Sequence, residues 1–400
     1  MPPDVYFAIP AMDELEYLPR TLECIARQDY PGKINVCVCV NQPRSDYADT
    51  RFRTRIEHNH ALWKLLQQNP WKLSLFPIDR FSEGQAWEKK SGVGMARRCC
   101  METLLPQAGD EDILVSMDAD TLFAPDYVSC IVRCFEQDRH TAAVTPEYYH
   151  RLSGDAAADR ALLRYEIYMR CFLIGLLRIR SPYAFTALGS AICCRMGIYR
   201  KVGGFDSRQA GEDFYFLQKI AKSGKIRLDS GCTVYPSSRL SDRVPFGTGP
   251  AIRDLQASEK RYPIFPPEAF DRIAESYRLI PAFREKDIST PLTDFIRAAD
   301  GSAECWERMR RNYPTLPAFT RAFHQKADGL RIFQFLRQYA AEHPASDEEN
   351  LRRTLNRHAE GMHFPDLPED FRFATAPVAR LDEVRDALQK REAALRQLPL

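Results

Sequence analysis

The feature that most constrains this chain is an alternation that runs through its first 150 residues. Short apolar runs, Val5–Ile9, Ile34–Val40, Leu73–Phe76, Ile113–Met117 and Ala142–Thr145, read as strands. Between them lie stretches with helical spacing. Residues 16–28 carry Leu18, Leu22 and Ile25, part of 44–70 is helical, and residues 92–105 are entered through Gly92-Val-Gly94. A further helix opened by Pro125 and Asp126 carries Tyr127, Ile131, Cys134 and Phe135. Strands that alternate with helices specify a mainly parallel sheet covered by helices. In such a sheet, ligands sit beyond the carboxyl ends of the strands. The polar residues at three of these ends, Asp13/Glu14, Asn41 and Asp118/Asp120, are therefore expected to converge on one cleft.

From about residue 250 the strand signals stop. The rest is charged and helical, with Ala318 to Tyr339 and Leu381 to Leu398 as examples and Phe265-Pro-Pro267 as a break. We read a sheet domain over 1–250 and a helical extension over 251–400 that packs on the sheet or on a partner.

Bulk properties narrow the function. The chain has 400 residues, 44% of them hydrophobic, enough for a sizeable core. With 56 basic and 54 acidic residues there is no bulk case for nucleic-acid binding. The start MPPDVYFAIPAMDE lacks a basic segment followed by a long apolar run, so no leader is expected. The 12 cysteines include no CxxC pair. They read as small buried apolar residues in a reducing compartment rather than as a zinc site.

Asp118-Ala-Asp120 ends the run Ile113–Met117. In a strand, residues i and i+2 face one side, so the two carboxylates can point together. Two such oxygen donors suit Mg²⁺ or Mn²⁺, and a cation offsets their repulsion. The plainer alternative is a polar loop with an N-cap for the next helix. A phosphatase-type DxDxT is disfavoured, because Thr121 follows Asp120 directly and the motif follows the fourth strand rather than the first.

Lys89-Lys-Ser-Gly-Val-Gly-Met-Ala-Arg-Arg98 is a glycine-rich helix start flanked by basic residues. It suits either close approach to phosphate or ribose, or a tight turn before a solvated face. Glu212-Asp213 opens an aromatic-rich helix after Gly211. Acidic residues there favour the helix dipole, and one of them can also serve as a general base. Ala187–Cys194 reads as a loop and strand that could line an acceptor pocket. Ser241–Gly249 reads as a connector or a loop that closes on an anion, with Arg239 or Arg243 reaching a phosphate. Glu57-His-Asn-His60 reads as a solvated helix face, and Arg164–Arg180 as a core-packed amphipathic helix rather than a membrane anchor.

In order, AIPAMDELEYLPRTLECIARQ, VCVCVNQP, KSGVGMARR, ILVSMDADT, GSAICC…YRKVGGF and GEDFYFLQK resemble family 2 glycosyltransferases over residues 5–250. The resemblance implies a GT-A fold: a Rossmann-like, mainly parallel sheet sandwiched by helices. It implies metal-dependent transfer of one sugar, with inversion, from a UDP- or GDP-sugar to a saccharide or lipid-linked acceptor. Mn²⁺ or Mg²⁺ is the implied cofactor. Pro10 and Glu14 then belong to the loop under the nucleotide, and Gly94 and Arg97 lie beside it. Asn41 stands where many members have an aspartate that contacts the base. Asp118 contacts ribose or metal, Asp120 holds the metal, and Asp213 or Glu212 is the base. With no QxxRW after Asp213 and no train of membrane helices, a non-processive enzyme is expected. By analogy it serves bacterial envelope polysaccharide or glycolipid synthesis, in the cytoplasm at the inner face of the membrane and with possible peripheral contact to it. A nucleotidyltransferase and a non-catalytic nucleotide-sugar-binding protein are the alternatives.

Overall fold

The computed structural model describes residues 2–88, 92–206, 211–228, 231–239, 262–301 and 305–397. The chain divides into two compact units. One comprises Met1–Gly154 with Phe185–Ala251, the other Asp155–Ala184 with Ile252–Leu400.

The first unit is built in chain order from β1 (Val5–Ala11), α1 (Leu18–Ala26), β2 (Ile34–Asn41), α2 (Arg53–Gln68), β3 (Ser74–Arg80), α3 (Val93–Leu104), β4 (Ile113–Ser116), β5 (Leu122–Phe123), α4 (Tyr127–Gln137), β6 (Thr141–Val144) and β7 (Glu147–Tyr148). After α5 (Ala156–Arg178), which belongs to the second unit, it resumes with β8 (Ile192–Arg195), α6 (Met196–Val202), α7 (Glu212–Ala221), β9 (Lys225–Arg227) and β10 (Thr233–Tyr235). The seven-stranded sheet has the order β3-β2-β1-β4-β8-β6-β9, with β5-β10-β7 as a separate small sheet. Among the described strands of the large sheet only β8 runs antiparallel to its neighbours, β4 and β6. This is the mainly parallel α/β architecture expected from the sequence.

β1 and β2 lie inside the sheet, each paired on both sides, and every residue of β1 is buried. Central parallel strands carry helices on both faces, so they need unbroken apolar runs. VYFAIPA and INVCVCVN supply them. The five expected strands and the helices between them are all present. β1 runs further than expected: Pro10 pairs with Cys39 inside the strand and is not a loop residue. The two-residue strands β5 and β7 are too short to leave a periodic signal.

The second unit is helical. Leu163, Ile167, Cys171 and Ile174 of α5 share a core with Leu351, Phe371, Phe373, Leu381, Val384 and Leu388. The helix read as core-packed therefore buries its apolar side against the last helix of the chain, Val378–Arg396. The stretch 318–339 is not one helix but two, Leu316–Lys326 and Gly329–Glu342. The break is chemical: the Asp328 carboxylate accepts the Arg331 N–H at 3.1 Å and starts a new helix. Among the described residues no helix is long and apolar enough to cross a membrane.

Candidate functional site

The site lies at the carboxyl ends of β1, β2 and β4, all in the first unit. β4 stops at Ser116, so Asp118 and Asp120 sit in the following turn and not in a strand. The i, i+2 argument for a shared direction therefore does not apply to them. The turn is held from beneath by α1. The buried hydroxyl of Thr21 lies 2.9 Å from the Ala119 carbonyl and 3.1 Å from that of Thr121. The Met117 N–H donates to the Ala8 carbonyl at 3.2 Å and ties the turn to β1.

Each carboxylate then meets its own arginine. Asp118 pairs with Arg97 of α3. Arg97 is 3% exposed; its Nη1 donates to Ser116 Oγ at 2.8 Å, and its Nε lies 3.3 Å from Glu212 Oε1. Ser116 Oγ donates onward to the Gly189 carbonyl at 2.8 Å. Burial works against the charge of Arg97, but Asp118 and Glu212 outweigh it and hold the guanidinium protonated. A Cβ at residue 189 would lie 2.3 Å from Arg97 Nη2, so any side chain here would have to displace the guanidinium. One buried guanidinium thus joins the end of β4, the 118–120 turn and the start of α7.

Asp120 pairs with Arg239 at 2.9 Å, and the same Nη2 donates to Glu14 at 2.5 Å. The guanidinium lies over the Tyr17 ring, 3.9 Å from its centroid. Glu14, 6% exposed, also starts α1, since its carbonyl accepts the Leu18 N–H at 3.0 Å. The preceding Asp13 has φ 60°, a left-handed conformation that aspartate tolerates better than most residues.

At the start of α7, Gly211 has φ 73° and delivers Glu212 and Asp213 directly into the first turn. Glu212 is buried against Arg97. Burial and the adjacent Glu212 push the Asp213 carboxyl up to about 7, although the Phe214 N–H and Arg97 pull the other way. The two carboxylates sit in different surroundings. Glu212 is engaged by the buried arginine, while Asp213 is poised to exchange a proton near neutral pH.

Asn41 is 6% exposed, and its Nδ2 donates to the carbonyls of Ala11 at 3.1 Å and Cys39 at 3.2 Å. Two carbonyl acceptors need a donor, which an aspartate cannot supply. This accounts physically for an amide at this strand end. Gly94 is buried in the first turn of α3, the helix that also carries Arg97. Arg243, the rest of the loop 241–249 and residues 89–91 lie outside the described residues.

The stretch Glu57–His60 does more than face solvent. Asn59 is fully buried; its Oδ1 accepts the Asp13 N–H at 3.0 Å, and its Nδ2 donates to Gln42 Oε1 at 2.7 Å. His58 Nδ1 lies 2.7 Å from Asp13 Oδ1. α2 thereby fixes the loops after β1 and β2. The signal was present in the sequence: Asn59, Leu62 and Leu66 recur at helical spacing on one buried face.

Asp118 and Asp120 are hard oxygen donors of the kind Mg²⁺ and Mn²⁺ take. Among the described residues no three acidic, histidine or cysteine side chains converge where they could hold a metal ion. The donor set fits a cation that brings most of its ligands from a bound phosphate, as Mg²⁺ commonly does.

Residues 113–262 match the model of glycosyl transferase family group 2. No curated protein sequence matches the chain. Among solved structures, residues 1–349 of TarS from S. aureus in complex with UDP-GlcNAc are 14% identical. That alignment covers 94% of this chain and 98% of TarS 1–349, with a TM-score of 0.41. The mannosyltransferase PcManGT from Pyrobaculum calidifontis, in complex with GDP-Man and Mn²⁺, is 17% identical, with 98% and 88% covered and a TM-score of 0.36. Over the matched segment, which carries the 118–120 turn, the Gly189 loop and the Glu212-Asp213 helix start, the chain resembles family 2 glycosyltransferases.

Proposed function

We propose that this chain is a glycosyltransferase that moves one sugar from a nucleotide-diphosphate sugar to an acceptor hydroxyl with inversion. The observation that carries the reading is the Asp118–Arg97–Glu212 linkage, because it couples the strand-end turn to the helix start that bears Asp213. In this reading the nucleotide lies over Pro10, Glu14, Asn41 and Gly94, and Arg97 fixes Asp118 toward the ribose. Asp213 removes the acceptor proton as the acceptor oxygen attacks the anomeric carbon. The bond from that carbon to the diphosphate breaks on the opposite face, and negative charge grows on the leaving diphosphate. Arg239, beside Asp120, is placed to meet that charge. Asp120 and Asp118 are the residues that would hold a divalent cation, which would supply further charge stabilisation to the diphosphate. The chemistry is compatible with envelope polysaccharide or glycolipid acceptors at the inner face of a bacterial membrane.

The test pairs binding with a pH profile. A thermal-shift panel of nucleoside diphosphates and their sugars, with Mn²⁺ or Mg²⁺, should give a shift that needs one nucleotide. With that donor, kcat/KM should fall as pH drops through about 7, where Asp213 takes up its proton. Asp213→Asn should lower transfer by at least about a thousandfold and abolish this limb while the donor still binds. Stability should move oppositely. The raised carboxyl holds its proton more tightly folded than unfolded, so it destabilises the wild type progressively as pH rises from about 4 to about 7. Asp213→Asn should remove that loss. Full turnover by Asp213→Asn would overturn the assignment of the base.

A further inference from the structure

Arg239 sits where the donor site has most need of a positive charge. One nitrogen, Nη2, contacts both Glu14 at 2.5 Å and Asp120 at 2.9 Å. The Tyr17 ring closes over the guanidinium, and the side chain is only 17% exposed. Asp118 is held by a different guanidinium, that of Arg97. The two carboxylates expected to share a metal ion are therefore each engaged by a different arginine.

A divalent cation binding on its own would have to take Asp120 from Arg239. It would gain few protein ligands, since among the described residues no group of three acidic, histidine or cysteine side chains could hold a metal ion there. A diphosphate changes both terms. It contributes its own oxygens to the cation, and it offers the guanidinium a more highly charged, bidentate phosphate acceptor in place of a carboxylate. The competition between Arg239 and metal is then relieved, because each has a phosphate oxygen to bind.

We propose that Arg239 is the resident counter-ion of the donor site, excluding divalent metal from Asp120 until a nucleoside diphosphate draws the guanidinium off that carboxylate. The inference rests on the glycosyltransferase reading above and adds to it an order: nucleotide admits metal. It assigns the coupling between the two ligands to one side chain, and it can be measured with no sugar transferred at all.

The experiment titrates the full chain with Mn²⁺ alone, following free Mn²⁺ by electron paramagnetic resonance, and then repeats the titration with saturating UDP and with GDP. Wild type should bind Mn²⁺ weakly alone and at least about tenfold more tightly with one of the two nucleotides. Arg239→Ala should bind Mn²⁺ alone about tenfold more tightly than wild type, because a competing positive charge has gone from Asp120. The nucleotide should then add little. Arg239→Gln, which keeps a stem over Tyr17 but no charge, should behave like Arg239→Ala. It is the second variant should the alanine protein fail to fold. Arg239→Lys, which keeps the charge, should stay close to wild type. Equal Mn²⁺ affinity of wild type and both neutral variants without nucleotide overturns the proposal. If neither UDP nor GDP binds wild type while the neutral variants gain Mn²⁺ affinity, the donor-site reading fails and takes the nucleotide half of the proposal with it. A nucleotide that binds wild type and leaves its Mn²⁺ affinity unchanged overturns the coupling alone.

Discussion

Arginine meets carboxylate below the surface in both units of this chain, and the two settings differ in one respect. In the second unit Arg170 contacts Glu166 at 2.6 Å and Glu392 at 2.9 Å. Arg385 lies 3.6 Å from Glu166, and Arg396 pairs with Glu392. All five side chains are at most 2% exposed. Arg385 also reaches Asp382 and Asp386, 31% and 47% exposed, so the network is closed around Arg170 and opens only at its Arg385 edge. In the first unit Arg97 is 3% exposed but its partner Asp118 is 36% exposed, and Asp120 beside Arg239 is 19% exposed. There Arg97 is anchored while the Asp118 end is open to a ligand, and Arg239 and Asp120 are both part-exposed. A closed network can only specify how α5 meets the last helix. An open one keeps acceptor capacity available for binding.

That difference predicts opposite responses to one substitution. Arg170→Leu should leave Glu166 and Glu392 short of a partner in a dry setting and cost about 3–5 kcal/mol of unfolding free energy. Arg97→Leu should cost about 1–2 kcal/mol less than that, because Asp118 can return to water and only Glu212 is stranded. Yet Arg97→Leu should be the variant that loses the nucleotide. Urea denaturation of both proteins, with donor binding measured on each, checks the pair. Equal destabilisation would break the comparison.

A smaller effect is expected at Asn41, where the open site meets the closed interior of the sheet. Asn41→Asp puts a carboxylate against the Ala11 and Cys39 carbonyls that now accept its N–H groups. It should cost about 1–3 kcal/mol at neutral pH. Repulsion by the carbonyls raises the carboxyl pKa in the folded state, so part of the loss should be regained as pH falls and the new side chain is protonated. Urea midpoints at pH 5 and pH 8 measure this. A variant as stable as wild type at pH 8 would remove the reason given for an amide at this position.

These residues also mark how far the sequence could be read. The strands were legible because central parallel strands need continuous apolar runs. Their polar ends were legible because Glu14, Asn41, Asp118 and Asp120 each follow one. Glu212-Asp213 was legible as an acidic helix start. What could not be read was the choice of partner. Arg239 is 225 residues from Glu14, and Arg97 is 115 from Glu212. No local period encodes such pairs. Asn59 was misjudged because a polar helix hides a buried amide among its charges. The sequence change near residue 250 reflects composition, while the compact units follow packing. That is why Asp155–Ala184 joins the C-terminal helices although it lies between two pieces of the sheet.

The finest test of the open site is Gly189→Ala. The added methyl carbon would lie 2.3 Å from Arg97 Nη2 and 2.9 Å from its Cζ, too close for either to stay. The guanidinium is the end of a flexible side chain, so it should move rather than unfold its surroundings. Unfolding free energy should change by about 1 kcal/mol or less. The displaced Nη2 is the atom that holds Asp118, however, and Nη1 is the one bonded to Ser116. Asp118 should lose its fixed orientation, and nucleotide affinity should fall about tenfold, or roughly 1.4 kcal/mol. Isothermal titration with the donor identified in the panel, set beside the urea midpoint of the same protein, separates the two effects. A large drop in stability with unchanged affinity would mean that Arg97 belongs with the closed network and not with the site.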